Sequence, residues 1–501
     1  MHHPFLAPSD PSPDDFDEAR VTQILFGQSY YLQFDPKLHD AMQPYPPLGT
    51  LYAASYLRER GYDVAVFDSM LASSEAEWEH ALDQHHPRYA VLYEDSFNYL
   101  SKMCLLRMRQ AAYEMLRAAK ARGCTVIISS SDATDHLDEY TSRGADFVVV
   151  GEGEVTLGEL TDVLTGRSAS AFGEIQGLAF RDGSGAMTRT PPREFVRNLD
   201  ALPFPAWDLV DIPRYRDAWR TRHGYFSMNL VTTRGCPYHC EFCPETNIPG
   251  GNIFYKRPIS EVVEEIKKIP QKTLMFYDTS LTIDPAYTKE LFQGMKGLRK
   301  RFFCNGNADV LARDEDLVRL SKEAGCVAWL IGFESFSQDT LDSVGKKTNK
   351  VTEYARAIHN IHTHHMAVIG DFMFGFDTDT VTVFEQTRKA VKELNIDVAD
   401  FSILTPFPGT PLFTKLESQN RILTKDWTLF NMGHAVFRPL HMTSEELEYG
   451  VRGVYTEFYG KAYTLRRITR GVRLGLYPLF VIVARNVIAM MGGRRLAKKE
   501  K

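Results

Sequence analysis

Three cysteines, Cys236, Cys240 and Cys243, stand close together in the stretch TTRGCPYHCEFCPET, residues 232–246. Clustered thiolates bind zinc or iron–sulfur clusters. A structural zinc ion takes four ligands; His239 could supply one, but no second cysteine pair follows at zinc-finger spacing. A [4Fe–4S] cluster held by three thiolates keeps one iron open for another ligand. The spacing therefore favours an iron–sulfur cluster that binds a small molecule, with zinc as the alternative.

The composition of the whole chain is that of a globular protein. At 501 residues it is long enough for two or three domains. Its net charge of −6 disfavours a surface that binds nucleic acid. Seven cysteines, an odd number with three clustered, indicate reduced thiols rather than disulfides. Residues 1–19 carry no secretory signal pattern, and their Pro and Asp content predicts a disordered lead. We expect a cytoplasmic protein.

Short apolar runs alternate with amphipathic stretches over residues 20–170. The runs are VTQILFG, DVAVFD, YAVLYE, CTVIIS and DFVVVG. This alternation predicts a doubly wound, Rossmann-like (flavodoxin-like) α/β domain of about five parallel strands, with ligands beyond the strand carboxyl ends. Residues 171–224 follow, with a hairpin turning at Asp-Gly-Ser-Gly and a proline-bearing linker.

A second alternating series fills residues 225–420. Its strand candidates are FSMNLVTT, TLMFYD, FFCNGN, VAWLIGFE, VIGDFMFG and ADFSILTPF. Six strand–helix units are two short of a complete TIM barrel, so the pattern predicts an open, partial (β/α)6 barrel. The cysteines directly follow the first of these strands, where an active site is expected.

Residues 421–501 predict a helical C-terminal region. The apolar run 474–491 is interrupted by Pro478, Arg485 and Asn486, which makes a membrane-spanning helix a poor interpretation. Basic residues flank the run on both sides: Arg466, Arg467, Arg470, Arg473, Arg494, Arg495, Lys498 and Lys499. Two alternatives follow. The helix lies on a membrane surface, making the protein membrane-associated, or it packs against the barrel.

The cysteine motif, with Phe242 just before the last cysteine, resembles that of the radical S-adenosylmethionine superfamily. The resemblance implies that the three cysteines hold a [4Fe–4S] cluster whose open iron binds S-adenosylmethionine, which is cleaved to a 5′-deoxyadenosyl radical. IGFESFSQDT resembles the family's fourth-strand segment and implies that Glu334 contacts the cofactor. FMFGFDTDT and ILTPFPGTPLF resemble its fifth and sixth strands, and imply that Gly375 and Pro406 lie close to the adenine and ribose.

The first 165 residues resemble the cobalamin-binding domain of the B12-dependent branch of that superfamily, on the segments 46–68 and 144–160. The DxHxxG motif that supplies an axial histidine in other cobalamin proteins is absent, as it is in many members of this branch, so no histidine ligand to cobalt is implied. A degenerate domain that has lost its ligand is the alternative. The loops implied to touch cobalamin contain Leu48, Gly49, Tyr93, Glu94, Ser129, Ser130, Gly151, Glu152 and Gly153.

The resemblance implies an enzyme that methylates an unactivated carbon of an unknown substrate, either a small molecule or a lipid-like one. An alternative is ring formation without methyl transfer, as in the anaerobic magnesium-protoporphyrin cyclase. A non-catalytic corrinoid or redox sensor is a further alternative. A tRNA methylthiotransferase is disfavoured, because only Cys104 and Cys124 precede the motif. The expected partner is an external electron donor such as flavodoxin or ferredoxin.

Overall fold

The computed structural model describes residues 23–94, 106–196, 199–244 and 252–499, with the backbone alone for 37, 201 and 491–499. The predicted lead, residues 1–19, lies outside these ranges. Within them the chain forms two α/β units and a helical C-terminal region, so the predicted fold class is confirmed.

The first unit is built on a seven-stranded sheet. Five strands are parallel and lie in the order β2-β1-β3-β4-β5, and each falls within one of the predicted apolar runs. The hairpin β6–β7 adds to β5 in antiparallel pairing, so it extends this sheet rather than standing apart as a linker element. The strands are β1 Ile24–Gly27, β2 Val64–Val66, β3 Tyr89–Tyr93, β4 Thr125–Ser129, β5 Phe147–Val149, β6 Leu178–Arg181 and β7 Met187–Arg189.

Helices cover both faces of this sheet. Leu48–Glu59 and Glu154–Leu164 pack on one face, while Ala76–His85 and Leu106–Ala121 pack on the other. The first of these helices follows Pro46-Pro47 and ends just before Gly61, whose φ of +79° stops it. The shorter helices are Pro36–Ala41, Ser131–Asp135 and Leu137–Ser142.

The second unit is the predicted partial barrel. Six strands pair in parallel in the order β8-β11-β12-β13-β14-β15, and a short antiparallel ribbon, β9–β10, follows the first of them. All six predicted strands are present. The strands are β8 Met228–Leu230, β9 Thr233–Arg234, β10 Tyr255–Lys256, β11 Thr273–Phe276, β12 Arg301–Asn305, β13 Cys326–Glu334, β14 Ala367–Phe374 and β15 Val398–Ile403.

The barrel helices surround these strands, and a linker helix, Ile212–His223, precedes them. Several helices have caps that the sequence supplies: Asp284 accepts two backbone N–H bonds ahead of Pro285, and Thr443 forms a capping box with Glu446. The barrel helices are Ile259–Lys268, Pro285–Met295, Ala308–Arg313, Glu315–Ala324, Gln338–Ser343, Tyr354–Thr363, Val383–Glu393 and Pro411–Ser418.

The C-terminal helices Ser444–Phe458, Lys461–Gly471 and Leu476–Lys499 pack against the barrel. Val481 and Ile482 are buried against the first residues of β13, β14 and β15, so the last helix closes the end of the barrel opposite the strand carboxyl ends. Within the described residues, no helix combines the length and hydropathy needed to cross a membrane.

The carboxyl edge of the first sheet faces the barrel. Asn229 of β8 donates a hydrogen bond to the carbonyl of Pro46 at 3.2 Å, and Trp219 of the linker helix donates to the carbonyl of Pro44 at 2.5 Å. Leu48 and Tyr52 pack on Val231. The loops that were predicted to bind ligands in the two units therefore meet.

Candidate functional site

The three clustered cysteines lie on a loop that leaves β9 at the carboxyl end of the first barrel strand. Cys240 is buried, whereas Cys236 and Cys243 are partly buried. The loop turns sharply at Gly235, whose φ is +77° and whose carbonyl accepts a 3.3 Å hydrogen bond from the Thr279 hydroxyl. The thiols therefore project from a bent segment at the barrel mouth.

Two neighbouring segments fasten this loop. The backbone N–H of Glu241 donates to the carbonyl of Val344 at 3.0 Å, and the N–H of Leu412 donates to the carbonyl of Glu241, also at 3.0 Å. Gly345 lies directly beneath, because a Cβ on it would stand 3.0 Å from the carbonyl oxygen of His239. The loop conformation is thus set by both strand-end segments around it.

The described residues contain no group of three or more His, Cys, Asp or Glu side chains converging on a single metal ion. Convergence is what a mononuclear zinc ion requires. In a [4Fe–4S] cube each thiolate binds a different iron, so the sulfur atoms need only surround a common volume. Three thiols on one loop at the barrel mouth are the type of donor that such a cluster takes.

Glu334, at the end of β13, lies in a strained backbone conformation with φ of +60°. Gly332 makes room for its carboxylate, because a Cβ there would lie 2.5 Å from Glu334 Oε1. The side-chain amide of Asn349 donates to the carbonyls of Gly332 and Phe333 at 2.8 and 2.9 Å, which holds the bend in place. The surroundings therefore fix the carboxylate in one position.

Lys346 connects this carboxylate to the cysteine loop. Its Nζ lies 2.8 Å from Glu334 Oε1 and 6.0 Å from the ring centre of Phe242. Burial acts to lower the pKa of Lys346, but Glu334 and the Cys240 sulfur together raise the pKa above its ordinary value. Burial raises the pKa of the Cys240 thiol, and the charge of Lys346 opposes that rise. The site thus keeps a fixed cation beside its sulfur atoms.

Two other predicted cofactor-binding positions have local roles in the structure. Gly375 has φ of +102°, and a Cβ on it would lie 2.8 Å from a methyl carbon of Leu447. Asp379 closes this turn by accepting the N–H groups of Gly375 and Phe376, and burial raises the pKa of Asp379 to about 6. Pro406 is buried in the turn that leads into helix Pro411–Ser418.

Phe242 packs edge-on against Phe376, with ring centres 5.9 Å apart. The contact places an aromatic side chain beside the last cysteine on the side of the fifth barrel strand. It removes water from that flank of the loop.

The residues predicted to touch cobalamin gather where the first unit meets the barrel. Leu48 and Gly49 begin helix Leu48–Glu59, next to Thr50, whose hydroxyl donates to the Tyr93 carbonyl at 2.6 Å. Glu94 accepts the N–H of Ser29 at 2.8 Å. These positions form one continuous edge after β1 and β3.

The loop after β4 differs from its neighbours. Ser129 ends the strand, and the Ser130 hydroxyl accepts the N–H of Ala133 at 2.9 Å, so that it caps helix Ser131–Asp135. The Ser130 hydroxyl oxygen therefore caps the helix that follows, and its O–H can still donate to another group.

The loop after β5 contains two glycines, Gly151 and Gly153, that differ in the space around their Cβ positions. In the described part of the chain, no atom lies within 4 Å of a Cβ position on Gly151, which has φ of +86°. On Gly153 a Cβ would lie 2.7 Å from the Tyr93 ring. Between them, Glu152 is buried and accepts the N–H of Val196 at 2.6 Å. Gly151 therefore leaves space at the sheet edge, whereas Gly153 and Glu152 make contacts within the protein.

Arg234 was not predicted as a site residue. It lies two positions before the first cysteine, its side chain is only 4% exposed, and its guanidinium contacts two carboxylates of the first unit: Glu154 at 2.6 Å and Glu152 at 3.4 Å. An arginine directly before the Gly-Cys step was the available signal, but its partners lie more than 75 residues away. Arg234 couples the cysteine loop to the sheet edge.

Inside the barrel, Asp371 and Asp400 face one another in register on β14 and β15. Arg485 of the last helix lies 3.0 Å from Asp400. Burial, followed by the negative charges of Asp400 and Glu334, raises the pKa of Asp371 well above its usual range, although Arg485 and Lys346 oppose the rise. This charged group below the barrel mouth was also missed from sequence.

The Radical SAM superfamily profile matches residues 230–391. The chain is 28% identical to an uncharacterized methyltransferase from Pyrococcus horikoshii, over 83% of the chain and 88% of that relative. It is 29% identical to the bacteriochlorophyllide d C-12(1)-methyltransferase of Chlorobaculum tepidum, over 71% and 74%. It is 28% identical to an anaerobic magnesium-protoporphyrin IX monomethyl ester cyclase from Cereibacter sphaeroides, over 63% and 52%.

Two solved structures share the fold. TsrM from Kitasatospora setae, a radical S-adenosylmethionine methyltransferase solved with cobalamin and a [4Fe–4S] cluster, superposes with a TM-score of 0.68 at 15% identity, covering 95% of this chain and all of that one. The cobalamin-dependent S-adenosylmethionine radical enzyme OxsB gives a TM-score of 0.67 at 15% identity, over 90% and 69%.

Proposed function

We propose that the chain is a cobalamin-dependent radical S-adenosylmethionine enzyme that methylates an unactivated carbon of a small-molecule substrate. The observation that carries the proposal is the position of the three-cysteine loop. It lies at the mouth of the partial barrel, beside the Glu334–Lys346 pair and under the carboxyl edge of the first sheet.

Cys236, Cys240 and Cys243 would hold three irons of a [4Fe–4S] cluster. The supporting observation is a bent, doubly anchored loop with three thiols and a buried cation, Lys346, beside them. A positive charge near thiolates favours their ionised form, which is the form that binds iron. No fourth cysteine lies on this loop, so one iron would be left for another ligand.

Glu334 would contact S-adenosylmethionine. Its carboxylate is held at the barrel mouth in the space that Gly332 leaves, and a carboxylate there accepts hydrogen bonds from an amino group or hydroxyls. Lys346 Nζ, 2.8 Å from Glu334 Oε1, holds this carboxylate in its orientation. The strained φ of Glu334 is a common feature of binding residues that must hold one geometry.

Cobalamin would lie between the two units. The open space at Gly151 and the edge formed by Leu48, Gly49 and Glu94 support this, because ligands of doubly wound sheets bind beyond the carboxyl ends of the strands. When bound, the cluster and S-adenosylmethionine supply a hydrogen-abstracting radical and cobalamin supplies a methyl carrier. The residues of this chain orient these groups, and Phe242 with Phe376 excludes water from the flank of the loop.

Ring formation without methyl transfer is the second candidate, because a relative at 28% identity is named a cyclase. The two outcomes consume S-adenosylmethionine differently. Methylation yields S-adenosylhomocysteine together with 5′-deoxyadenosine, whereas cyclisation yields only the latter. A corrinoid or redox sensor would yield neither.

The test is anaerobic reconstitution with iron, sulfide and cobalamin, followed by chromatography after adding S-adenosylmethionine and a chemical reductant. We expect wild-type protein to form 5′-deoxyadenosine and Cys240→Ala to form none. Cys124→Ala is the matched control, because Cys124 is a buried thiol of the first unit and should be dispensable. Equal product from wild type and Cys240→Ala would contradict the proposal.

An external electron donor such as flavodoxin or ferredoxin would reduce the cluster.

A contact with a membrane surface is a further part of the proposal. Five large apolar side chains are exposed around the last two helices, with exposed Arg466 and Arg473 among them. Apolar and basic side chains together suit an anionic lipid surface. The apolar side chains are Leu465, Val472, Leu476, Tyr477 and Phe480.

A further inference from the structure

Gln28, which directly follows β1, is 1% exposed, yet neither its side-chain nitrogen nor its oxygen has a hydrogen-bond partner among the described residues. A primary amide has two donors and one carbonyl acceptor, and burying them unsatisfied costs free energy that a folded protein rarely bears without reason. Packing within the protein therefore does not explain why the Gln28 amide is buried.

Gln28 lies at the point where the strand order of the first sheet reverses. β1 is flanked by β2 on one side and β3 on the other, and the crevice beyond such a strand is where doubly wound sheets bind ligands. Just past Gln28, the N–H of Ser29 donates to Glu94, which continues from β3. The orphan amide thus directly follows the strand beyond whose end a ligand crevice is expected.

The alternation of side chains along β1 indicates on which face of the first sheet Gln28 lies. Gly27 faces Trp78 and Met115, whereas Phe26 packs with Ala53 and Tyr93 on the opposite face. Because successive side chains point to opposite faces, Gln28 is on the Phe26 side. That side carries helix Leu48–Glu59, whose first residues adjoin the barrel.

We propose that Gln28 is a corrinoid-contacting residue whose amide pairs with a carboxamide side chain at the rim of the corrin. Two primary amides can exchange one N–H donor and one carbonyl acceptor each, which satisfies both orphan atoms of Gln28 at once. The contact needs no charge, in keeping with a neutral rim group. The inference rests on the proposed function in that it requires the chain to bind cobalamin.

A substitution of Gln28 should affect ligand binding and folding in different ways. If the amide serves the ligand, replacing it with an apolar side chain of similar length removes two unsatisfied atoms from the ligand-free protein. Gln28→Met should then leave the urea midpoint of the ligand-free protein unchanged or higher. The same variant should bind cobalamin at least about tenfold more weakly, because a buried amide-to-amide pair is lost.

The experiment titrates wild type, Gln28→Met and Gln33→Met with aquacobalamin, followed by absorbance, and measures urea unfolding without the ligand. Gln33 is exposed a few positions further along, so its variant should bind as wild type does. Wild-type affinity in Gln28→Met would overturn the inference, and so would a lower midpoint or failure to fold, since either means a structural partner for the amide. If wild type itself binds no cobalamin, the proposed function fails instead.

Discussion

Arg234 Nη2 lies 2.6 Å from Glu154 Oε1, and this ion pair is buried between the cysteine loop and the first sheet. Glu152 adds a second carboxylate at 3.4 Å. Burial raises the pKa of Glu152, and Arg234 opposes that rise. The arginine is thus the counter-ion that lets two carboxylates approach the barrel.

Replacing Arg234 with Met should destabilise the protein by about 3–5 kcal/mol, because two carboxylates would lose their buried partner. Urea unfolding at pH 7 measures the change. The triple variant Arg234→Met, Glu152→Gln, Glu154→Gln should recover part of the loss. Lys256→Met, which removes the exposed pair with Asp284, should cost less than about 1 kcal/mol. If Arg234→Met loses no more stability than this control, Arg234 is not the buried counter-ion of the two carboxylates.

Asp371→Asn should stabilise the protein, and more so as the pH rises. The folded-state pKa of Asp371 lies above its unfolded value near 4, so wild type loses stability as the pH rises from that value toward the folded pKa. The gain should grow by at most about 1.4 kcal/mol per pH unit over this interval. Urea midpoints at pH 4.5, 6 and 8 measure it.

Asp182→Asn should change the stability in the opposite direction to Asp371→Asn. Hydrogen bonds from Ser184 lower the pKa of this exposed carboxyl, so its removal should cost stability above pH 4 rather than add it. A pH-independent difference between wild type and Asp371→Asn would contradict the assignment of Asp371.

Gly345→Ala should lower the iron and sulfide content after anaerobic reconstitution. The new methyl group would meet the carbonyl of His239 at 3.0 Å and displace the cysteine loop. Gly297→Ala is matched in backbone strain, with φ of +83° against +70°, but no described atom lies within 4 Å of its Cβ position. Both variants should lose about 1–2 kcal/mol of stability, and only the first should lose iron. Equal iron content in the two would show that the loop tolerates the displacement.

Tyr477→Glu and Leu476→Glu should weaken binding to vesicles containing anionic phosphatidylglycerol by about tenfold, since each removes an exposed apolar contact and adds a negative charge. Co-sedimentation measures the bound fraction. Tyr449→Glu, at a residue 79% exposed on another helix, should bind as wild type does. If wild type does not sediment with these vesicles, the membrane contact is wrong.

Repetitive features of the fold were predictable from the sequence. Buried parallel strands need nearly continuous apolar runs, and each predicted run from VTQILFG to ADFSILTPF overlaps an observed strand, with limits that agree to within a few residues. The cysteine loop could be placed at the barrel mouth because it directly follows the first predicted barrel strand, FSMNLVTT. Helix limits such as Gly61 were visible because glycine adopts the positive φ of a helix end with no penalty from a Cβ.

Contacts between distant residues were not predictable in this way. Arg485 reaches Asp400 across 85 positions, and Arg234 reaches Glu154 across 80. Neither pair leaves a local pattern, because arginine and carboxylates are common on solvated surfaces. The φ of Glu334 was hidden as well, since its cause is Asn349, 15 positions later and beyond a helix. Gln28 gave no signal until its burial was known.

The helix Leu476–Lys499 is translated after all of the barrel strands that it packs against. Val481, Ile482 and Asn486 supply the floor against which β13, β14 and β15 begin, and they leave the ribosome after every strand they support. A nascent chain therefore exposes an unfinished barrel from below for the whole time that its last segment is being translated. Iron loading during translation would meet a scaffold open at its base, whereas loading after residue 486 has emerged would meet a sealed one.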